Sequence, residues 1–228
     1  MTLTEFQTSL HALYRGNGST PVDGSVEWNY REALLDAAIN MWDNQGYMWN
    51  ELWTTLSDAS DGDKTVVAST TEYDMPTNFR FLGSFVRTTN SDGGNTFYTI
   101  VQPQDSEAFK NTSTASCFVT GNKSAGFILN FMQQPAVGET INYPYYKEPE
   151  SITTSTDVIE MADAYFALYF ALAKMHEREG AGDRARAAFS MADEKLKQMK
   201  RRNIMLPNSQ SNKAKDRDYE LGTGGFGR

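Results

Sequence analysis

Gly222-Thr223-Gly224-Gly225-Phe226-Gly227 reproduces the GxGxxG spacing with which a dinucleotide site turns backbone amides toward a pyrophosphate. That chemistry needs a strand before the glycines and a helix N-terminus after them, because the helix end supplies the aligned N–H groups. Only Arg228 follows the run, so the expectation is a Gly-rich tail and no nucleotide site. His11 and His176 are far apart, and each falls near the end of a predicted helix. They read as polar helix-end side chains, not as a catalytic base. Asp61/Asp63 and Asp157/Glu160 have the spacing of carboxylate pairs, but Asp61-Gly62-Asp63 reads as a turn and Asp157 as a helix cap. Asp58 to Asp63 supplies too few alternating acidic ligands for a calcium loop. Trp28, Trp42, Trp49 and Trp53 offer ring faces for sugar stacking, yet they suit better the anchors of a small core. The basic run Lys195 to Arg202, with Glu194 and Gln198 interspersed, reads as a solvated face or a surface for an acidic partner, in preference to a nucleic-acid contact.

Counting narrows the chemistry further. With 2 His and 1 Cys in 228 residues, a Cys-rich zinc site, a disulfide framework and a Cys/His redox pair are excluded. Cys117, within Ser116-Cys117-Phe118-Val119, reads as a small buried hydrophobe. Lys and Arg number 21 against 29 Asp and Glu, and the resulting charge of −8 argues against wrapping DNA through a general positive field. The most apolar window, Ala162 to Ala173, is too short to span a bilayer and is bordered by Glu160, Asp163 and Lys174. Met1-Thr2-Leu3-Thr4-Glu5 lacks the basic and apolar regions of a secretory leader. The expectation is a soluble protein of a reducing compartment, without metal, cofactor or membrane span, and not an enzyme.

The elements that would position these residues follow from periodicity. Leu3, Phe6, Leu10, Leu13 and Tyr14 fall on one face of a first helix, which Thr2 and Glu5 open with capping-box spacing. A second helix is expected from Ser25 to Asp43, with Tyr30, Leu34, Ala37, Ala38, Met41 and Trp42 inward. Residues 47–56 fit a helix or a strand equally. From Ser57 to about Lys147, short β-branched and aromatic runs alternate with Gly, Asn, Asp and Pro. The candidate strands are 65–68, 81–87, 96–101, 117–120, 127–131 and 140–146, with a short helix over 103–109. Beyond Pro149, Asp157 is expected to cap a helix carrying Val158, Met161, Tyr165, Leu168, Leu172 and Met175. That helix is apolar nearly all round and should be central to a bundle or an interface. Asp183 caps a last helix facing inward through Ala185, Ala188, Ala192, Leu196 and Met199.

The expected fold is therefore α+β: a helical bundle core of two N-terminal and two C-terminal helices, an inserted antiparallel β domain and an extended C-terminal tail. Its parts are 1–56, 57–149, 150–206 and 207–228. The tail is polar and Gly-rich, and has no core of its own to order it.

Three stretches give this order a likeness. Glu72-Tyr73-Asp74-Met75-Pro76-Thr77-Asn78-Phe79 resembles a Tyr-x-Leu-Pro-x-Asp/Asn-Phe entry into a β region, with Met75 in place of Leu. Thr140 to Pro149, with Tyr145-Tyr146-Lys147, resembles the last strand before a second helical half. Asp157 to Met199 resembles a final pair in which an Ala/Tyr-rich helix precedes a Lys/Arg-rich one. Over about 3–202 the chain resembles the head-to-tail connector (adaptor) proteins of tailed bacteriophages.

The resemblance implies a homo-oligomeric ring of about twelve copies beneath the portal protein. Such a ring extends the DNA channel and carries the next tail or nozzle component. It also implies a place at the head–tail interface of the virion, after assembly in the host cytoplasm. Channel DNA would pass without sequence-specific binding, repelled by the acidic charge of many copies. Family tails commonly insert into portal crevices, which would make Arg217, Tyr219, Leu221, Phe226 and Arg228 docking anchors. The aromatic content favours a different class, a carbohydrate- or receptor-binding β module on a helical stalk. A hydrolase built on a carboxylate pair has no support beyond the presence of Asp and Glu.

Overall fold

In a computed structural model, which describes residues 1–16, 20–59, 62–110 and 112–205, the chain forms two compact units. One joins residues 1–51 with those from 151 onward, and the other comprises 52–150. The helices are α1 (Leu3–Arg15), α2 (Val26–Asp43), α3 (Ser106–Phe109), α4 (Tyr165–Arg178) and α5 (Gly182–Met205). The strands are β1 (Trp53–Thr55), β2 (Lys64–Thr65), β3 (Glu72–Asp74), β4 (Phe79–Leu82), β5 (Val86–Thr89), β6 (Asn95–Ile100), β7 (Ser116–Asn122), β8 (Gly126–Phe131), β9 (Thr140–Asn142) and β10 (Pro144–Lys147).

In the first unit α1 opens with the expected capping box: the Thr2 hydroxyl accepts from the Glu5 amide at 3.2 Å, and the Glu5 carboxylate accepts from the Thr2 amide at 2.8 Å. Helix α4 packs against α1, α2 and α5. It is buried on almost every side, through Phe166, Ala167, Leu168, Phe170, Ala171, Leu172, Ala173, Met175 and His176. The inward face of α5 is Ala185, Ala188, Ala192, Leu196 and Met199, as its periodicity predicts. Facing alanines on α4 and α5 let the two axes approach closely.

Helix α2 differs from its expected register. Its buried residues are Trp28, Arg31, Leu35, Ala38 and Trp42, while Met41 is exposed and Ala37 lies on the outer side. The cause is Arg31, whose charge disguises a core position.

A second correction concerns the start of α4. Asp157 caps no helix. Its Oδ2 accepts from the amides of Thr153 and Thr154, both at 2.8 Å, and its Oδ1 from the Thr154 hydroxyl at 2.6 Å. Because the carboxylate closes a turn on residues before it, it is unavailable to residues after it. Val158 instead pairs antiparallel with Thr2, flanked by Leu3 N–H to Asp157 O at 3.1 Å and Ile159 N–H to Met1 O at 3.0 Å. The helix begins only at Tyr165, so Val158 and Met161 precede it.

In the second unit, β1, β10 and β4 form a three-stranded sheet, and the other seven strands run in the order β2-β9-β5-β6-β7-β8-β3. Residues 47–56, ambiguous in sequence, include a 3₁₀ turn (Asn50–Leu52), strand β1 and the first residue of a second 3₁₀ turn (Leu56–Asp58). Two expected strands are each split. The run 81–87 breaks at Gly83 between β4 and β5, and the run 140–146 breaks at Tyr143 between β9 and β10, so each run serves both sheets. The antiparallel expectation needs one correction as well: β6 and β7 pair in parallel, Thr99 with Ser116 and Ile100 with Cys117. The crossover that makes this possible runs through the 3₁₀ turn Pro103–Asp105 and α3.

The seven-stranded sheet must curl. Laid flat, its outermost strands would be about 29 Å apart at about 4.8 Å per strand. Yet the chain from the end of β2 at Thr65 to the start of β3 at Glu72 reaches at most about 25 Å when fully extended. The core of this unit gathers Val66, Tyr73, Met75, Phe79, Val86, Tyr98, Cys117, Leu129, Phe131, Ile141, Tyr143 and Tyr145 from both sheets, all buried.

Candidate assembly surfaces

The stretch 72–79 is a core motif. Tyr73 is buried, accepts from Val67 N–H and donates to Thr70 O, both at 3.1 Å, and so fixes the link between β2 and β3. Phe79 packs its ring against Phe127 and Tyr145, with centroids 5.1 and 5.9 Å away. Asn78 accepts from the Tyr145 hydroxyl at 3.1 Å. These contacts explain why Tyr, a large apolar residue, Asn and Phe occur at that spacing.

Across the three-stranded sheet, Trp53 pairs with Tyr146 and Tyr146 with Phe81. Paired residues share a sheet face, so the three aromatic side chains form one row. Trp53 and Phe81 are each 47% exposed and Tyr146 is half-buried, whereas the neighbouring Tyr145, on the opposite face, is fully buried. Three of the four tryptophans are core anchors, since Trp28, Trp42 and Trp49 are buried and Trp49 stacks on Trp42 at 5.2 Å. Trp53 is the exception. The sequence signals this row only through its aromatic types, because the pairing register is invisible without the fold.

Of the six residues assigned to a ring or core helix, Leu168, Leu172 and Met175 are buried on α4 within the chain. Met161 is buried ahead of α4, while Tyr165 and Val158 are 50% and 58% exposed. Arg217, Tyr219, Leu221, Phe226 and Arg228 lie outside the described residues.

Several titratable groups that the sequence brings into question are engaged in local structure. Arg31 is fully buried between α1 and α2, paired with Glu27 at 2.6 Å, donating to Gln7 O at 3.4 Å and 3.3 Å from His11 Nδ1. His176 packs against Tyr14 at 5.6 Å. A cleft of about 430 Å³ is lined by Tyr14, Tyr30, Glu27, Arg178 and Glu179 among others, and these side chains have partners: Glu27 is held by Arg31. Tyr14 donates to Glu179, and Arg178 lies 4.5 Å above the Tyr30 ring. Asp63 accepts from Ser57 at 2.7 Å in its own loop. Burial pushes the Cys117 thiol up to about 12, so it is neutral and unreactive in the folded chain. Among the described residues no group of three or more His, Cys, Asp and Glu is placed to hold a metal ion. Nor is any described helix long and apolar enough to cross a membrane.

The chain is a mixed α+β protein with an exposed aromatic row on one sheet surface. Comparison with protein families is more specific: residues 1–213 match the SU10 adaptor protein family. The chain belongs to that family and is a structural adaptor component of a bacteriophage virion, as the resemblance implied. A comparison with curated proteins finds no match.

Proposed function

We propose that the chain is a head-to-tail adaptor that assembles as a ring of about twelve copies under the portal and extends the DNA channel. The observation that carries this reading is the family match, which runs through both units. In this reading the helical unit is the bundle core of the ring, and the β unit presents Trp53, Tyr146 and Phe81 to the next tail or nozzle component. Exposed aromatic rows suit that task because large, rigid side chains give contact area at little entropic cost. Residues 207–228 dock on the portal through Arg217, Tyr219, Leu221, Phe226 and Arg228, ordering as they bind and acting together with the ring contacts as a multivalent latch. The role is structural, not enzymatic, and requires no cofactor. It belongs at the head–tail interface after assembly in the host cytoplasm.

Deleting Asn208 to Arg228 tests the docking step. The truncated chain is expected to lose co-sedimentation with portal rings while its far-UV circular dichroism keeps the helical and β signals. Normal attachment would overturn the assignment. Electron microscopy of the particle tests the ring itself, which should appear closed, with about twelve copies against the portal.

The aromatic row favours one other reading, a carbohydrate- or receptor-binding surface. That reading expects glycan binding by the intact chain, lost in Trp53→Ala, with no contribution from the tail. Portal attachment without glycan binding eliminates it.

A further inference from the structure

Helix α2 is apolar on two opposite sides. One carries the buried Trp28, Leu35, Ala38 and Trp42. The other carries Val26, Ala33, Ala37 and Met41, spaced by seven and four residues so that they share a face. All four are exposed, Val26 at 88% and Met41 at 44%. A surface helix ordinarily has one apolar stripe, so a second one calls for a second covering surface. Along its border run Glu32 and Asp36, one turn apart, and the one basic residue of α2, Arg31, is buried.

Helix α5 is the electrostatic opposite, with seven basic residues against three acidic ones. Behind its buried alanine face, Ala187 and Met191 are exposed, and Arg184 and Arg202 stand on the same stripe to either side of them. Among the described residues, Glu32, Asp36, Arg184 and Arg202 form no ion pair with one another or with other groups. The 18 residues of α2 and 24 of α5 give axes of about 27 and 36 Å, long enough for one stripe to lie along the other. Small residues on both stripes permit close approach.

We propose that the outward face of α2 in one copy docks on the outward face of α5 in the next. This head-to-tail contact rests on the ring reading and gives that ring its repeating interface. Because the two faces differ, each pairing leaves one α2 and one α5 face open for further copies. Such a contact propagates until it closes. The acidic border of α2, about 6 Å long, meets one basic end of the α5 stripe, which fixes the pairing partner, and the apolar strips supply the buried area.

Charge reversal on the full chain tests it, read by sedimentation velocity or mass photometry across protein concentration at low salt. Glu32→Lys/Asp36→Lys makes both faces basic, and Arg184→Glu/Arg202→Glu makes both acidic. Each variant alone is expected to associate at least about tenfold more weakly than the wild-type chain, whose association should itself weaken as salt rises. An equimolar mixture should recover assembly, since reversed α2 then meets reversed α5. That recovery also shows that both variants fold. The milder Glu32→Gln/Asp36→Asn should fall between wild type and reversal.

Wild-type association by either single variant, failure of the mixture to recover, or a wild-type chain that stays monomeric at low salt would each overturn the contact. A membrane or unrelated apolar partner on these stripes would leave self-association untouched by the reversals and so counts against it. The ring reading is scored separately, by copy number in the particle. A ring whose neighbours do not join α2 to α5 sinks the contact alone, and a single copy sinks the ring reading.

Discussion

Arg31 carries a full charge at a position with no solvent exposure, held by Glu27, the Gln7 carbonyl and His11. Only the arginine side of this pair is buried, the Glu27 side chain being 48% exposed, so the pair adds little net stability, but losing Glu27 strands a buried guanidinium. Glu27→Ala should therefore cost more than Arg31→Met, which replaces the stem with an apolar chain of similar length. We expect about 2–3 kcal/mol for the first and about 1 kcal/mol for the second, read from urea midpoints.

Asp157 gives a pH-dependent case. Hydrogen bonds from the Thr154 hydroxyl and the Thr153 and Thr154 amides hold its carboxyl at about 2. The folded value lies below the unfolded one of about 3.9, so the turn is fully supported above that pH and loses support as pH falls toward 2. Asp157→Asn should lower the thermal midpoint at pH 7 and have little effect near pH 2. An equal effect at both pH values would contradict the assignment.

At the scale of elements, Gly83 sits where the chain leaves one sheet for the other. A Cβ placed there would lie 2.6 Å from the Pro144 carbonyl oxygen and 2.7 Å from Pro144 Cγ. Gly83→Ala must push β4 and β10 apart and should cost about 1–3 kcal/mol in chemical denaturation, the range of overpacked sites. This close approach is also why the strand pattern was only partly legible. Strand-forming types lie on both sides of Gly83 and run through 140–146, so each run reads as one strand, and although Gly83 and Pro144 hint at a break they do not mark a change of sheet. The α5 face was readable because its alanines recur at helical spacing with no competing signal. On α2, apolar residues on both sides and a buried arginine hid the inward register. At Asp157 the residue type was right for a cap, but the carboxylate found its donors upstream. The aromatic row of the candidate surface depends on cross-strand register, a long-range property that no local pattern encodes.

For the whole molecule, net charge and its distribution say different things. The chain is acidic, at −8, while α5 gathers seven of its basic residues. Nonspecific DNA affinity depends on neutralising phosphates with a continuous basic surface, and three acidic residues on α5 and the surplus elsewhere oppose that. Fluorescence anisotropy with a short duplex should show no binding by the intact chain at about 0.15 M salt. Micromolar binding under those conditions would mean that α5 acts as a DNA face.

The pairing of Met1, Thr2 and Leu3 with Asp157 and Ile159, and the packing of α1 and α2 on α4, also set a timetable for synthesis. Phe6, Leu10, Trp28 and Leu35 emerge from the ribosome early, yet the helix that covers them is translated more than a hundred residues later. At bacterial translation speed that wait is on the order of ten seconds. The β unit, encoded in between, has all its strands before α4 exists, so α1 and α2 are made before that unit and covered after it.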